Sequence, residues 1–213
     1  MRPAPRARHY LAVLVFAAVS VVYQYCAVAE GELGPTQVRI ATAALKRHEG
    51  GLFPPDPVFG KSNLWRIHTP IFQSMLELSL YPSGYRDLSM PFRGLVGVMS
   101  MIFLCGMYAL LYRQCRSWSV AAFTAVMSSA VVHALGESFW GVGSLTSITP
   151  QGICIAFVPL IVLAFLTYSA MPETGRTPED VWRLLLVFGC IGLLGNLHLI
   201  MAANLTLVLV RSE

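Results

Sequence analysis

Charge is scarce in this chain: only 12% of its 213 residues are Asp, Glu, Lys or Arg. An ordinary soluble domain carries roughly 25%, so water is not the main solvent for this sequence. The formal charge of +4 is scattered, with no basic run and no interleaving of basic and aromatic residues, which leaves nucleic-acid binding without support. The five cysteines, Cys26, Cys105, Cys115, Cys154 and Cys190, form no C-x-x-C pair and all lie in or beside apolar runs. Neither a disulfide framework nor a zinc site is indicated, and they read as small core residues.

The common catalytic signatures are missing as well. There is no G-x-S-x-G, no S-x-x-K, no H-E-x-x-H and no glycine-rich phosphate loop with a Lys. Gly141 and Gly143 make a lone pair that suits a tight turn. A haem between membrane helices needs histidines at matched depth. His133 falls near the end of its apolar run, and of His48, His68, His133 and His198 only His198 lies well inside one. No metal and no cofactor is therefore assigned, and His198 reads as a hydrogen-bonded core histidine.

What the chain does have is apolar length. It is 55% hydrophobic, with a mean hydropathy of +0.62, which predicts an all-α fold: a polytopic transmembrane helical bundle forming a single membrane domain over residues 1–213. About five spans are expected, near residues 9–28, 94–112, 118–135, 152–170 and 181–210, the last interrupted by Gly195 to His198 and by Asn204. The first has a rival reading. Arg2, Arg6 and Arg8 precede it and Ala27-Val28-Ala29 closes it, which also fits a cleaved secretory signal.

Short basic loops belong in the cytoplasm. Placing the N-terminus, Arg113/Arg116 and Arg176/Arg183 there puts residues 29–93 and 136–151 outside, with the N-terminus cytoplasmic. The long outer loop 29–93 contains two amphipathic stretches, each predicted to be an interfacial helix. Residues 36–48 place Val38, Ala41, Ala44 and Leu45 at helical spacing; residues 64–80 hold Pro70 in a first turn or at an interruption. The chain stops at Arg211-Ser212-Glu213 directly after an apolar run, which suggests a fragment of a longer protein.

Within the loop, Pro54, Pro55 and Pro57 hold Asp56 in a stiff extended segment, where a carboxylate is either aimed at a site or merely serves a turn. The predicted topology brings Asp56, His68 and the Gly136-to-Trp140 stretch to one outer cleft. His133 and Glu137 are four residues apart, hence on one face of a continuing helix; ionisable groups at a membrane boundary are often functional. A plain solvated Glu137 and a backbone-bonded His133 are the alternative.

A first span, a long external loop with an early acidic residue, interfacial helices and short-looped spans resemble the N-terminal part of the GT-C superfamily of polytopic glycosyltransferases. The words PPDPVF, HTPIF, GESFWG and GNLH resemble bacterial membrane proteins at the fringe of that superfamily. The resemblance implies sugar transfer from a polyprenyl-phosphate donor on the outer face of the bacterial inner (cytoplasmic) membrane. Asp56, His68 and Glu137 would be catalytic, and Lys61, Arg66, His133 and Trp140 would bind substrate. Two departures stand out: Asp56 is single where the family often pairs acidic residues, and most members have many more spans. The competing reading is a non-enzymatic membrane scaffold or assembly subunit, partnered by lipid and other membrane subunits. A third, a small transporter, has only Asn196, His198 and Asn204 to draw on.

Overall fold

The computed structural model describes residues 5–29, 35–49, 51, 70–130, 149–169 and 178–211, and among them every regular element is a helix. In chain order these are α1 (Pro5–Ala29), α2 (Pro35–His48), α3 (Pro70–Leu80), a 3-10 turn (Tyr81–Ser83), α4 (Met90–Cys115), α5 (Trp118–Ala130), α6 (Pro150–Ser169), α7 (Pro178–Leu197) and α8 (Leu199–Arg211). Proline explains where many of them start. Pro5, Pro35, Pro70, Pro150 and Pro178 each occupy the first helical position, where the missing N–H would have had no helical acceptor and the fixed φ already suits the helix. The described part of the stretch expected at 64–80 is α3, from Pro70 onward; residues 64–69 lie outside the described residues.

Among the described residues three helices are long and apolar enough to cross a membrane, through Ala7–Ala27, Met90–Cys115 and Pro150–Tyr168. The apolar parts of α5, α7 and α8 are shorter, at 10–17 residues each, below the ~20 needed for an upright crossing. The single break in the last apolar region falls at His198, and Asn204 does not interrupt α8. The turn is sharp. A Cβ on Gly195 would sit 3.6 Å from that of Ala202, whereas seven residues of straight helix span about 10 Å.

The helix α4 is the hub, packed against α1, α5 and α6. Its contacts fix the directions of its neighbours. His9 meets Tyr108 and Gln24 meets Gly97, so α1 is antiparallel to α4. Gly106 meets Leu160 and Arg113 meets Thr167 at the same sequence offset, so α6 is parallel to α4. Only two residues, Arg116 and Ser117, link α4 to α5, and Arg116 takes a left-handed conformation (φ 54°) to turn the chain, donating its N–H to the Tyr112 carbonyl at 3.0 Å. His9, Arg113, Arg116 and Arg183 therefore gather at one end of the bundle.

At the opposite end, α2 and α3 fold onto the start of α4. The buried face of α2 is Gln37, Ile40, Ala41 and Ala44, at positions i, i+3, i+4 and i+7, widened by the buried Ala43. Val38 lies outside that stripe and is 47% exposed, which corrects the face expected from sequence. Arg47 bridges to Glu77 of α3 at 3.1 Å, and His48 stacks on Tyr85, ring centroids 3.8 Å apart. Tyr85 follows Gly84 in a left-handed turn, with φ of 62° and 57° respectively, a conformation that costs a residue with a Cβ about 1–2 kcal/mol.

Two apolar clusters hold the fold. One surrounds α4, with Phe16, Leu80, Phe92, Val96 and Leu104 essentially sealed. The second joins α6 to the α7–α8 corner through Phe165, Ile191, Leu205 and Leu209. The cysteines do not all belong to these cores: Cys26, Cys115 and Cys190 are exposed, Cys105 is half-buried and Cys154 is buried. Membership of an apolar run placed them on a helix, but the outward or inward face was set by packing.

Candidate functional site

The sequence-derived site residues, Asp56, His68, Glu137, Lys61, Arg66, His133 and Trp140, all lie outside the described residues. Among the described residues no three His, Cys, Asp or Glu side chains come together in a way that could hold a metal ion. His198 is half-buried and caps α8, its Nδ1 accepting the Met201 N–H at 3.3 Å.

Among the described residues a cavity of about 820 Å³ between α6 and α7, with Ile71 of α3 at its edge, has the capacity to hold a ligand. Its volume falls in the range of small-molecule sites, roughly 300–1,000 Å³. The two helices run antiparallel and are pinned at one end, where the buried Cys154 thiol donates to the Leu194 carbonyl at 3.5 Å. Leu160 and Ala164 line one wall and Leu186, Cys190 and Leu193 the other. The small side chains at Ala164 and Cys190 leave the gap unfilled.

The slot has two unlike ends. From Phe157 to Tyr168 along α6 is about 16 Å at helical rise, roughly half the 30 Å hydrocarbon thickness. At one end stand Ile71, Phe157 and Leu197, all apolar; at the other stand Thr167, Tyr168 and Arg183. Arg113 reinforces the second end. Reaching from the last turn of α4, its guanidinium donates to Thr167 Oγ1 and, at 2.9 Å, to the Leu166 carbonyl. A cation placed on the closing carbonyls of α6 also meets the negative end of the helix dipole.

Midway, Pro159 interrupts the α6 ladder, since it has no N–H to give the Ile155 carbonyl. The next residue, Leu160, both lines the slot and presses on Gly106 of α4, so the slot wall is braced from behind. The arrangement is an apolar trough with hydroxyls and guanidinium groups at one mouth. It is chemically suited to an amphiphile whose chain lies along the trough.

Sequence reasoning put the site in the proline-rich loop and missed this trough. A signal existed in the spacing of Leu186, Cys190, Leu193 and Leu197, an apolar stripe on α7 adjacent to the buried stripe of Val187, Ile191 and Leu194. Two stripes mean that α7 has more than one apolar neighbour. No protein-family model, no curated protein and no solved structure matches this chain.

Proposed function

We propose that this chain is a multi-pass membrane protein of about five spans, α1, α4, α5, α6 and the α7–α8 unit, that binds a lipid-linked substrate in the α6–α7 trough. The trough itself is the observation that supports the reading: about 820 Å³ and almost entirely apolar. Chain burial alone favours such a ligand, at roughly 25 cal/mol for each Å² of apolar surface removed from water.

On this reading the lipid carries a sugar on a polyprenyl phosphate, and the protein is a GT-C-like glycosyltransferase or a fragment of one, in the bacterial cytoplasmic membrane with its N-terminus inside. The apolar end of the trough begins at Ile71, three residues after His68, so the chain would lead toward the loop that carries Lys61, Arg66 and His68. Those cations would steady the phosphate as it leaves, Asp56 would take the acceptor hydroxyl's proton, and Glu137, His133 and Trp140 would complete the site from the second outer loop. The positive-inside rule supports this orientation, because Arg113, Arg116 and Arg183 share one end of the bundle.

Two variants test the proposal separately. Ala164→Trp, which fills the trough, should lower the lipid retained by the purified chain at least tenfold by native mass spectrometry. Unchanged retention would remove the lipid site. Asp56→Ala should keep the lipid and abolish sugar transfer from an added polyprenyl-phosphate sugar; undiminished transfer would remove the glycosyltransferase assignment.

A further inference from the structure

A serine or threonine inside a helix has a ready acceptor in the carbonyl of the preceding turn. Ser79, Ser128 and Thr206 take it, donating to the carbonyls of Met75, Ala125 and Ala202 at 2.7, 2.7 and 2.9 Å. Ser20 of α1 and Ser100 of α4 do not. Both are buried, at 5% and 0% exposure, and neither hydroxyl has a hydrogen-bond partner among the described residues. A hydroxyl taken out of water and left unbonded costs free energy, so a buried pair of them calls for a partner.

The register brings the pair to one level. Gln24 accepts the Gly97 N–H, which fixes one point of the antiparallel contact between α1 and α4. From that point Ser100 lies three residues on along α4, about 4.5 Å, and Ser20 lies four residues back along α1, about 6 Å, in the same direction. Those spacings keep a helical side chain on one face, so both serines stand on the sides where α1 and α4 meet. The Ser20 carbonyl faces α4 as well, 3.5 Å from where a Cβ on Gly97 would stand. One turn further along, Phe16 and Leu104 are fully buried and close the seam toward the His9 end.

A partner for this place must be small and must both give and accept hydrogen bonds. Calcium and magnesium take about six oxygens or more, and neither α1 nor α4 carries an Asp or Glu. Water suits the place, since a buried water joins roughly two to four polar groups that would otherwise go unsatisfied.

We infer that one water molecule is bound between α1 and α4, held by the hydroxyls of Ser20 and Ser100. It accepts from one and donates to the other, and its second hydrogen is available to the Ser20 carbonyl. Beside the His9–Tyr108 and Gln24–Gly97 bonds it is a further polar link in this seam. Gly97 and Gly106, nine residues apart, point to opposite sides of α4, so the bridge is separate from α6 and from whatever the trough holds.

The test compares thermal unfolding of the purified full chain and its variants in detergent. Ser20→Ala and Ser100→Ala should each lower the melting temperature by about 2–4 °C, because each strands the other hydroxyl. The double variant should lose clearly less than the sum, whereas Ser79→Ala, whose hydroxyl bonds its own helix, should add to Ser20→Ala without coupling. Single variants that melt at or above the wild type, or strict additivity of the two, overturn the inference. A crystal structure that resolves ordered water gives a readout that needs no variant. One water within hydrogen-bond reach of both Oγ atoms is expected; a direct bond between the two hydroxyls, both turned onto their own helices, or no water between them overturns it.

Discussion

Gly106 of α4 lies directly against Leu160 of α6: a Cβ added at Gly106 would stand 2.9 Å from Leu160 Cγ and 3.3 Å from its backbone nitrogen. The leucine side chain can turn away, but the backbone nitrogen belongs to the helix and can retreat only if the two helices separate. Gly106→Val should therefore destabilise the bundle by about 1–3 kcal/mol, the usual cost of overpacking. Gly94, with nothing within 4 Å of an added Cβ, is the control; Gly94→Ala should be neutral or stabilise by about 0.5–1 kcal/mol. Thermal unfolding of the detergent-solubilised chain compares them, and equal effects would mean that α4 and α6 do not meet at Gly106.

A second close approach ties α1 to α4. Gln24 Oε1 accepts the Gly97 N–H at 2.9 Å, and a Cβ at Gly97 would stand 3.1 Å from that same oxygen. Gln24→Ala removes the bond and should cost about 0.5–1.5 kcal/mol; Gly97→Ala pushes the acceptor away and should cost a similar amount. Combined, the two should cost clearly less than their sum, because each destroys the same interaction. Strict additivity in a double-mutant cycle would show that Gln24 and Gly97 do not interact.

The entry to α4 should respond to acid. Asp87 Oδ1 accepts from Ser89 Oγ at 2.6 Å and from the Ser89 N–H at 2.9 Å. The Ser89 hydroxyl first, and its N–H second, hold the Asp87 carboxyl below the usual carboxylate value. A lowered folded-state pKa means that the charged form is favoured by folding. That contribution is complete above the unfolded value, about 3.9, and fades as pH falls through the lowered one. Asp87→Ala should thus melt below wild type near neutrality and lose that difference in acid. A gap that widens as pH falls would contradict the assigned bonds.

Much of the helical framework was legible in the sequence, for reasons that particular residues make plain. The stretches expected at 36–48 and 152–170 correspond to α2 and α6, each begun one or two residues earlier by a proline, whose missing N–H costs least at a helix start. The break at His198 was foreshadowed by GNLH, where Gly195 permits the close corner with Ala202 and His198 supplies the cap. Val38 was misassigned because α2 has two plausible apolar stripes, and only docking onto α3 and α4 chose between them. The trough was unreadable for a similar reason: Ala164 and Cys190 are ordinary in an apolar helix until two such helices are set opposite each other.

What the sequence by itself determined is solvent and local form. Low charge and long apolar runs demand hydrocarbon around the chain, and backbone groups in hydrocarbon must be satisfied internally, which dictates helices. What only the tertiary structure decided is which faces meet: that Gly106 touches Leu160, that Arg113 closes the end of α6, and that a trough is lined by α6 and α7. Helices packing in an apolar solvent gain little from hydrophobicity as such, since lipid tails are as apolar as leucine. Their pairing is chosen by shape and by a few polar contacts between residues far apart in the chain.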